Sequence, residues 1–161
     1  GYDHGRARQM TSAPIRAEIV TEKVAYVRQM VDAIRRLPLS SYADFAADTR
    51  NAAAGESYLR RAIEALFDLG RHILAKGFAK APAEYKEIAA GLVTEGILSE
   101  QDGRKLKEMA GYRNRMVHFY DEIGQDELYH ILCDHLFDIE KACDAFLGWL
   151  REHPDKVDSS I

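Results

Sequence analysis

Three residue types that could act together on a phosphate lie close along the chain, Arg113, His118 and Tyr120, in the run Arg113, Asn114, Arg115, Met116, Val117, His118, Phe119, Tyr120. Arginine is permanently charged and forked, which suits a phosphate, whereas histidine titrates near neutrality and suits proton transfer. Arg113 is the odd member of its stripe. It stands with Leu106, Met109, Met116 and Tyr120 at helical spacing, where an aliphatic side chain is expected. An unpartnered buried guanidinium is costly, so either the helix faces a cleft there or an acid comes to meet it. Glu64 and Asp68, at the edge of another stripe, are the candidate acids, and Asp68 is the preferred one. The plain structural explanation of such a pair is an ion pair that fixes helix register.

On a straight helix Arg113 and His118 point about 140° apart, while Arg113 and Tyr120 nearly eclipse. The three therefore cannot share one face unless the helix ends or bends here, or a second subunit completes the site. Asn114 and Arg115 do lie on the face of His118 and could hold the imidazole, or a phosphate beside it. From Arg104 to His118 the cations Arg104, Lys105, Lys107, Arg113 and Arg115 stand against the single acid Glu108. The whole chain conceals this basic surface, with a formal net charge of -4 and a pI near 5.9. That balance excludes a protein that coats nucleic acid through an overall positive field. Charge runs of this kind are most often simply the solvated face of a helix.

The elements that must position these residues follow from apolar periodicity. Val20, Val24, Val27, Val31 and Ile34 predict a first helix from about Ile15 to Leu37, which Pro38 helps to end. Ser41 can cap a short helix through Phe45 to Thr49, and Leu59, Ile63, Leu66, Phe67, Ile73 and Leu74 mark a second long helix that Lys76 and Gly77 close. Pro82 opens a shorter helix with Tyr85, Ile88 and Leu92. Ser99 and Asp102 form a start signal for the helix bearing Arg113, which Gly124 breaks. Asp126 then caps a last long helix through Leu128, Leu132, Leu136, Ile139, Cys143, Phe146 and Leu150, followed by Pro154. The prediction is an all-α, up-and-down bundle of four main helices plus one or two short ones.

A chain of 161 residues can bury one core without disulfides or a structural metal. Residues 15–153 read as a single helical domain, between a flexible or extraneous tail over 1–14 and a C-terminal tail over 154–161. Cys133 and Cys143 are separated by roughly 15 Å along one helix and cannot pair with each other. Both read as small apolar residues in a reducing, cytoplasmic setting, and neither a membrane span nor a secretory signal is visible.

Arg113, His118 and Tyr120 together spell R-x4-H-x-Y, with polar Asn114 directly after the arginine. This string, near the end of the penultimate helix of a small bundle, resembles the motif of HepT-like toxins, a branch of the HEPN superfamily of ribonucleases. Leu59 to Leu74, with Ile63, Glu64, Ala65 and Asp68, is similar to their second long helix, so the resemblance covers most of Val20 to Leu150. It implies a HEPN-like fold and a metal-independent endoribonuclease, the toxin of a bacterial or archaeal toxin–antitoxin system. It assigns catalysis to Arg113 and His118, with Asn114, Arg115 and Asp68 supporting them or binding RNA, and it needs no cofactor and no metal. The partners it implies are RNA, a second copy of the chain, and a minimal nucleotidyltransferase antitoxin of the MntA type that transfers AMP to Tyr120.

Two other readings stand beside it. A HEPN-type domain could bind a nucleotide or serve as an adaptor without cutting RNA. A carboxylate-bridged metal bundle could use Glu127 and His130 with Glu64 and Asp68, although such sites normally need two E-x-x-H helices and only one is present. No Gly-rich phosphate loop or nucleophile elbow occurs, which argues against NTP hydrolysis and Ser/His/Asp catalysis.

Overall fold

The apolar stripes become the buried faces of helices that close on one another. The computed structural model describes residues 13–118 and 122–158. In chain order these form β1 (Ile15–Arg16), α1 (Ala17–Arg35), α2 (Tyr42–Ala46), α3 (Thr49–Phe78), α4 (Tyr85–Thr94), α5 (Glu100–Val117), α6 (Gln125–Asp134), α7 (Leu136–Glu152), a 3-10 turn (Pro154–Lys156) and β2 (Val157–Asp158). The four long helices α1, α3, α5 and α7 make the expected bundle. Helix α3 is its spine and touches each of the other helices. Val27, Val31, Ile34, Leu59, Ile63, Phe67, Ile139 and Phe146 are fully buried in one continuous core.

Capping explains where most helices start. The Ser41 hydroxyl accepts from the Asp44 N–H at 3.1 Å, and the Ser99 hydroxyl accepts from the Asp102 N–H at 3.0 Å, both as the sequence predicts. Asp48 was not foreseen as a cap. Its carboxylate accepts from the Arg50 N–H at 2.9 Å, so α2 stops at Ala46 and α3 begins at Thr49. At its other end α3 runs through Gly77 to Phe78, and Ala79 takes the left-handed conformation that ends it (φ 55°). Pro82 does not open α4. The helix begins at Tyr85, where the Glu87 carboxylate reaches back to the Glu84 N–H at 3.2 Å.

The last expected helix is two helices. Gly124, not Asp126, is the N-cap of α6, and the helix is interrupted at His135, which is both the C-cap of α6 and the N-cap of α7 (φ -114°, ψ 0°). The His135 imidazole meets the Asp138 carboxylate at 2.9 Å, a side-chain contact across the first turn of α7. The bundle therefore has three short helices among the described residues, one more than expected.

Both ends of the described chain also depart from expectation. Ile15 and Arg16 do not begin α1 but pair in parallel with Val157 and Asp158, so the described residues from Pro154 to Asp158 pack onto the fold. Ile15 is fully buried, and the Lys156 ammonium donates to the Gly77 carbonyl at 3.0 Å. Cys143 is buried and Cys133 exposed, both as free thiols, so only the former is a core residue. Among the described residues no helix is long and apolar enough to cross a membrane.

Candidate active site

Helix α5 ends at Val117, and this ending assembles the site. His118 is extended (φ -103°, ψ 102°), while its N–H still donates to the Asn114 carbonyl at 3.2 Å. The 140° separation imposed by a straight helix is thereby lifted. His118 now lines the same groove as Arg113 and Asn114, an opening of about 570 Å³ whose other wall is Arg71 from α3 with Glu84, Tyr85 and Lys86 at the start of α4. Tyr120 lies outside the described residues.

Arg113 is held on several sides. Its Nε donates to Glu64 Oε2 at 3.0 Å, and its Nη1 reaches Asn114 Oδ1 at 3.4 Å. Its guanidinium carbon sits 4.9 Å from the centre of the Tyr85 ring, within cation–π range. That ring is itself fixed by stacking on Phe67, with centroids 4.4 Å apart and planes 4° from parallel. Burial pushes the Tyr85 hydroxyl above its ordinary pKa, against the opposing pull of Arg113, so the ring stays neutral beneath the cation. The Arg113 and Glu64 side chains are 27% and 28% exposed, which leaves the guanidinium reachable from the groove while limiting its motion.

The acid that meets Arg113 is Glu64 and not Asp68. Asp68 lies one turn further along α3, where it accepts from Arg71 Nη1 at 3.0 Å and faces Lys23 at 3.8 Å. Spacing along one helix selects a face, but only the packing of α3 against α5 decides which acid stands level with the arginine. Arg115 is also tied to a neighbouring helix. Its fork grips the Glu127 carboxylate through bonds of 2.6 and 2.9 Å, tying α5 to α6 and holding Glu127 below the usual carboxylate range.

Those pairings also bear on the metal reading. Glu64 is taken by Arg60 and Arg113, Asp68 by Arg71 and Lys23, and Glu127 by Arg115. The carboxylates it would need are thus spread over three separate ion-pair sets. Of the basic run on α5 only Arg113 lines the groove, while Arg104 and Lys107 lie exposed on the face toward α4. Sequence reasoning missed Arg71 and Lys86 and took Tyr85 for a core residue only. The local hint for Arg71 was its position three after Asp68, an i,i+3 ion pair.

Comparison with known proteins identifies relatives of the chain. The family model described as "Ribonuclease HepT-like" matches residues 26–146. The mRNA nuclease HepT of Shewanella oneidensis is 25% identical over 131 residues, covering 80% of this chain and 96% of that protein. The putative RNase YutE of Bacillus subtilis is 30% identical over 88 residues, 53% of this chain and 61% of its own. Among solved structures, the tri-AMPylated Shewanella oneidensis HEPN toxin in complex with MNT antitoxin superposes with a TM-score of 0.75 at 25% identity, over 81% of this chain and 97% of that one. The structure of YutE, described as a cytosolic protein, shares the fold with a TM-score of 0.71 at 21% identity, over 86% of this chain and 93% of that one. The family match runs from within α1 to within α7 and takes in every element that builds the groove, so the chain belongs to the HepT-like ribonuclease family.

Proposed function

We propose that this protein is the toxin of a toxin–antitoxin pair, an endoribonuclease that cuts RNA with its own side chains. The observation that carries this reading is the end of α5 at Val117, which sets His118 and Arg113 on one groove. In the proposed reaction a base takes the proton of a 2′-hydroxyl and the 2′-oxygen bonds to phosphorus. The bond from phosphorus to the 5′-oxygen breaks, and an acid returns a proton to that leaving oxygen. His118 transfers protons, and Arg113, fixed by Glu64 and Tyr85, stabilises the charge on the phosphate.

A single imidazole serves poorly as base and acid in one turnover. A twofold homodimer brings two copies of His118 to a shared cleft and supplies both. Control is assigned to Tyr120: a nucleotidyltransferase antitoxin transfers AMP from ATP to its hydroxyl, and the added phosphate repels RNA from the cationic groove. The Shewanella oneidensis relative is described as tri-AMPylated and in complex with MNT antitoxin, which supports control by AMP transfer.

The test is RNA cleavage by purified protein with and without a chelator. Wild type cuts RNA in the presence of chelator, and His118→Ala does not, while its melting temperature stays near wild type because His118 is exposed. Cleavage by His118→Ala at the wild-type rate removes the catalytic assignment. Cleavage lost to chelator and restored by a divalent cation removes the metal-independent mechanism.

A further inference from the structure

The groove holds a second oriented guanidinium that the reaction above does not use. Arg71 repeats the setting of Arg113. Each arginine is held by an α3 carboxylate, Arg113 by Glu64 at 3.0 Å and Arg71 by Asp68 at 3.0 Å, and those carboxylates are one turn apart on the same helix. Each carboxylate gives its other oxygen to a flanking cation, Glu64 to Arg60 at 3.2 Å and Asp68 to Lys23 at 3.8 Å. Each triad therefore keeps a net positive charge, with the carboxylate orienting the groove arginine without cancelling it. Both guanidinium carbons also stand near one ring, 4.9 Å and 5.9 Å from the centre of Tyr85.

Arg71 has few structural ties: its bond to Asp68 lies within α3, and its contact with the Tyr85 ring of α4, at 5.9 Å, is near the limit of cation–π range. Lys86, from α4, adds a further cation to the same groove, and Glu84 is the one carboxylate among the lining residues. The volume of about 570 Å³ lies within the range of small-molecule and cofactor sites, roughly 300–1,000 Å³, and exceeds what one phosphate occupies.

We propose that Arg71, with Lys86 across the groove, is the receptor for a second RNA phosphate, the neighbour of the scissile phosphate on the same strand. Arg113 holds the phosphate that reacts, and Arg71 holds the adjacent one and fixes the strand's register over His118. This rests on the ribonuclease reading, and it places the specificity for a continuous strand on residues outside the R-x4-H-x-Y motif.

The experiment uses a single-stranded 2′-O-methyl RNA 12-mer, which lacks the attacking hydroxyl, with anisotropy read as a function of salt, alongside cleavage of the matching unmodified 12-mer. For single strands each lost phosphate contact lowers the slope of log affinity against log salt by about 0.7. Arg71→Gln is expected to show that decrease, to bind about tenfold more weakly at low salt, and to raise KM far more than it lowers kcat. Arg71→Lys, which keeps the charge but not the fork, retains the slope with part of the affinity loss. Arg28→Gln, on the opposite α1–α7 side where Arg28 pairs with Asp144, keeps both slope and affinity. If Arg71→Gln matches wild type in slope and affinity while wild type cuts RNA, the second receptor is overturned and the ribonuclease reading stands. Equal affinity loss in Arg28→Gln overturns it in the same way. If wild type neither binds nor cuts the 12-mers, the ribonuclease reading falls and takes the receptor with it.

Discussion

At the scale of single residues, the site depends on how firmly Arg113 is held, and Glu64 is the main restraint. Glu64→Gln leaves Arg113 and Arg60 facing each other without the carboxylate that accepts from both. The expected outcome is a fall in kcat/KM of about tenfold or more, because a misaimed guanidinium loses transition-state charge stabilisation. The loss of stability is only about 1 kcal/mol, since both side chains reach solvent. Thermal melting and steady-state kinetics on the same preparation separate the two effects, and a variant that melts early but turns over normally argues against positioning. Arg113→Lys should lower activity as well, because a compact ammonium lacks the planar fork that reaches Glu64 through Nε and Asn114 through Nη1 and still presents an edge to a phosphate. That an acid would meet Arg113 was legible in the sequence. Which acid was not, since Glu64 and Asp68 share a helix face and differ only in depth along it.

At the scale of elements, two glycines of α5 have opposite meanings. A Cβ at Gly103 would stand 2.3 Å from Val93 Cγ2, so this glycine lets α4 approach α5 and brings Lys86 and Tyr85 toward the groove. Gly103→Ala is expected to destabilise by about 1–3 kcal/mol through overpacking against a stiff valine. A Cβ at Gly111 would meet nothing within 4 Å, and no positive φ requires glycine there. Gly111→Ala should therefore stabilise the protein by about 1 kcal/mol, raising the melting temperature by roughly 2–4 °C. Helix α3 carries its own pH dependence. Hydrogen bonds from Arg50 hold the Asp48 carboxyl down at about 2, against an ordinary 3.8. The stabilisation is complete above the ordinary value and is lost as pH falls through the lower one. Between about pH 4 and pH 2 wild type should lose helicity more steeply than Asp48→Asn, which keeps a capping oxygen but does not titrate, as followed by circular dichroism.

At the scale of the whole molecule, the ends of the described chain are joined by a clasp whose acceptor is a histidine. His72 Nε2 accepts from the Arg16 N–H at 3.2 Å, which positions β1 for its pairing with β2. Burial is the main reason His72 titrates below its ordinary 6.5, with Lys76 and Arg16 pushing the same way. The clasp contributes fully above about pH 6.5 and is lost as pH falls through the lower folded-state value, when the protonated ring can no longer accept. Wild type should therefore lose more thermal stability between pH 7.5 and pH 5.5 than His72→Gln, whose amide oxygen accepts at either pH. Parallel losses in the two proteins would show that the clasp is not the titrating contact. Assembly is tested at this scale too. Light scattering should find a dimer, and mixing inactive His118→Ala with inactive Arg113→Ala should regain part of the activity only if the cleft is shared.

The sequence by itself determined most of the helical faces and marked the motif. Apolar spacing fixed the buried faces of α1, α3, α5 and α7, Ser41 and Ser99 fixed two helix starts, and R-x4-H-x-Y marked the stretch where α5 turns into the site. These are short-range facts, set by a 3.6-residue period and by side chains that bond to backbone a turn away. Tertiary structure alone decided the rest: Glu64 over Asp68, the break at His135, the joining of Ile15 to Val157, and the wall of Arg71, Tyr85 and Lys86 opposite His118. Each of these depends on the register of one element against another. Register is set by the fit of whole packed faces, and no local spacing encodes it.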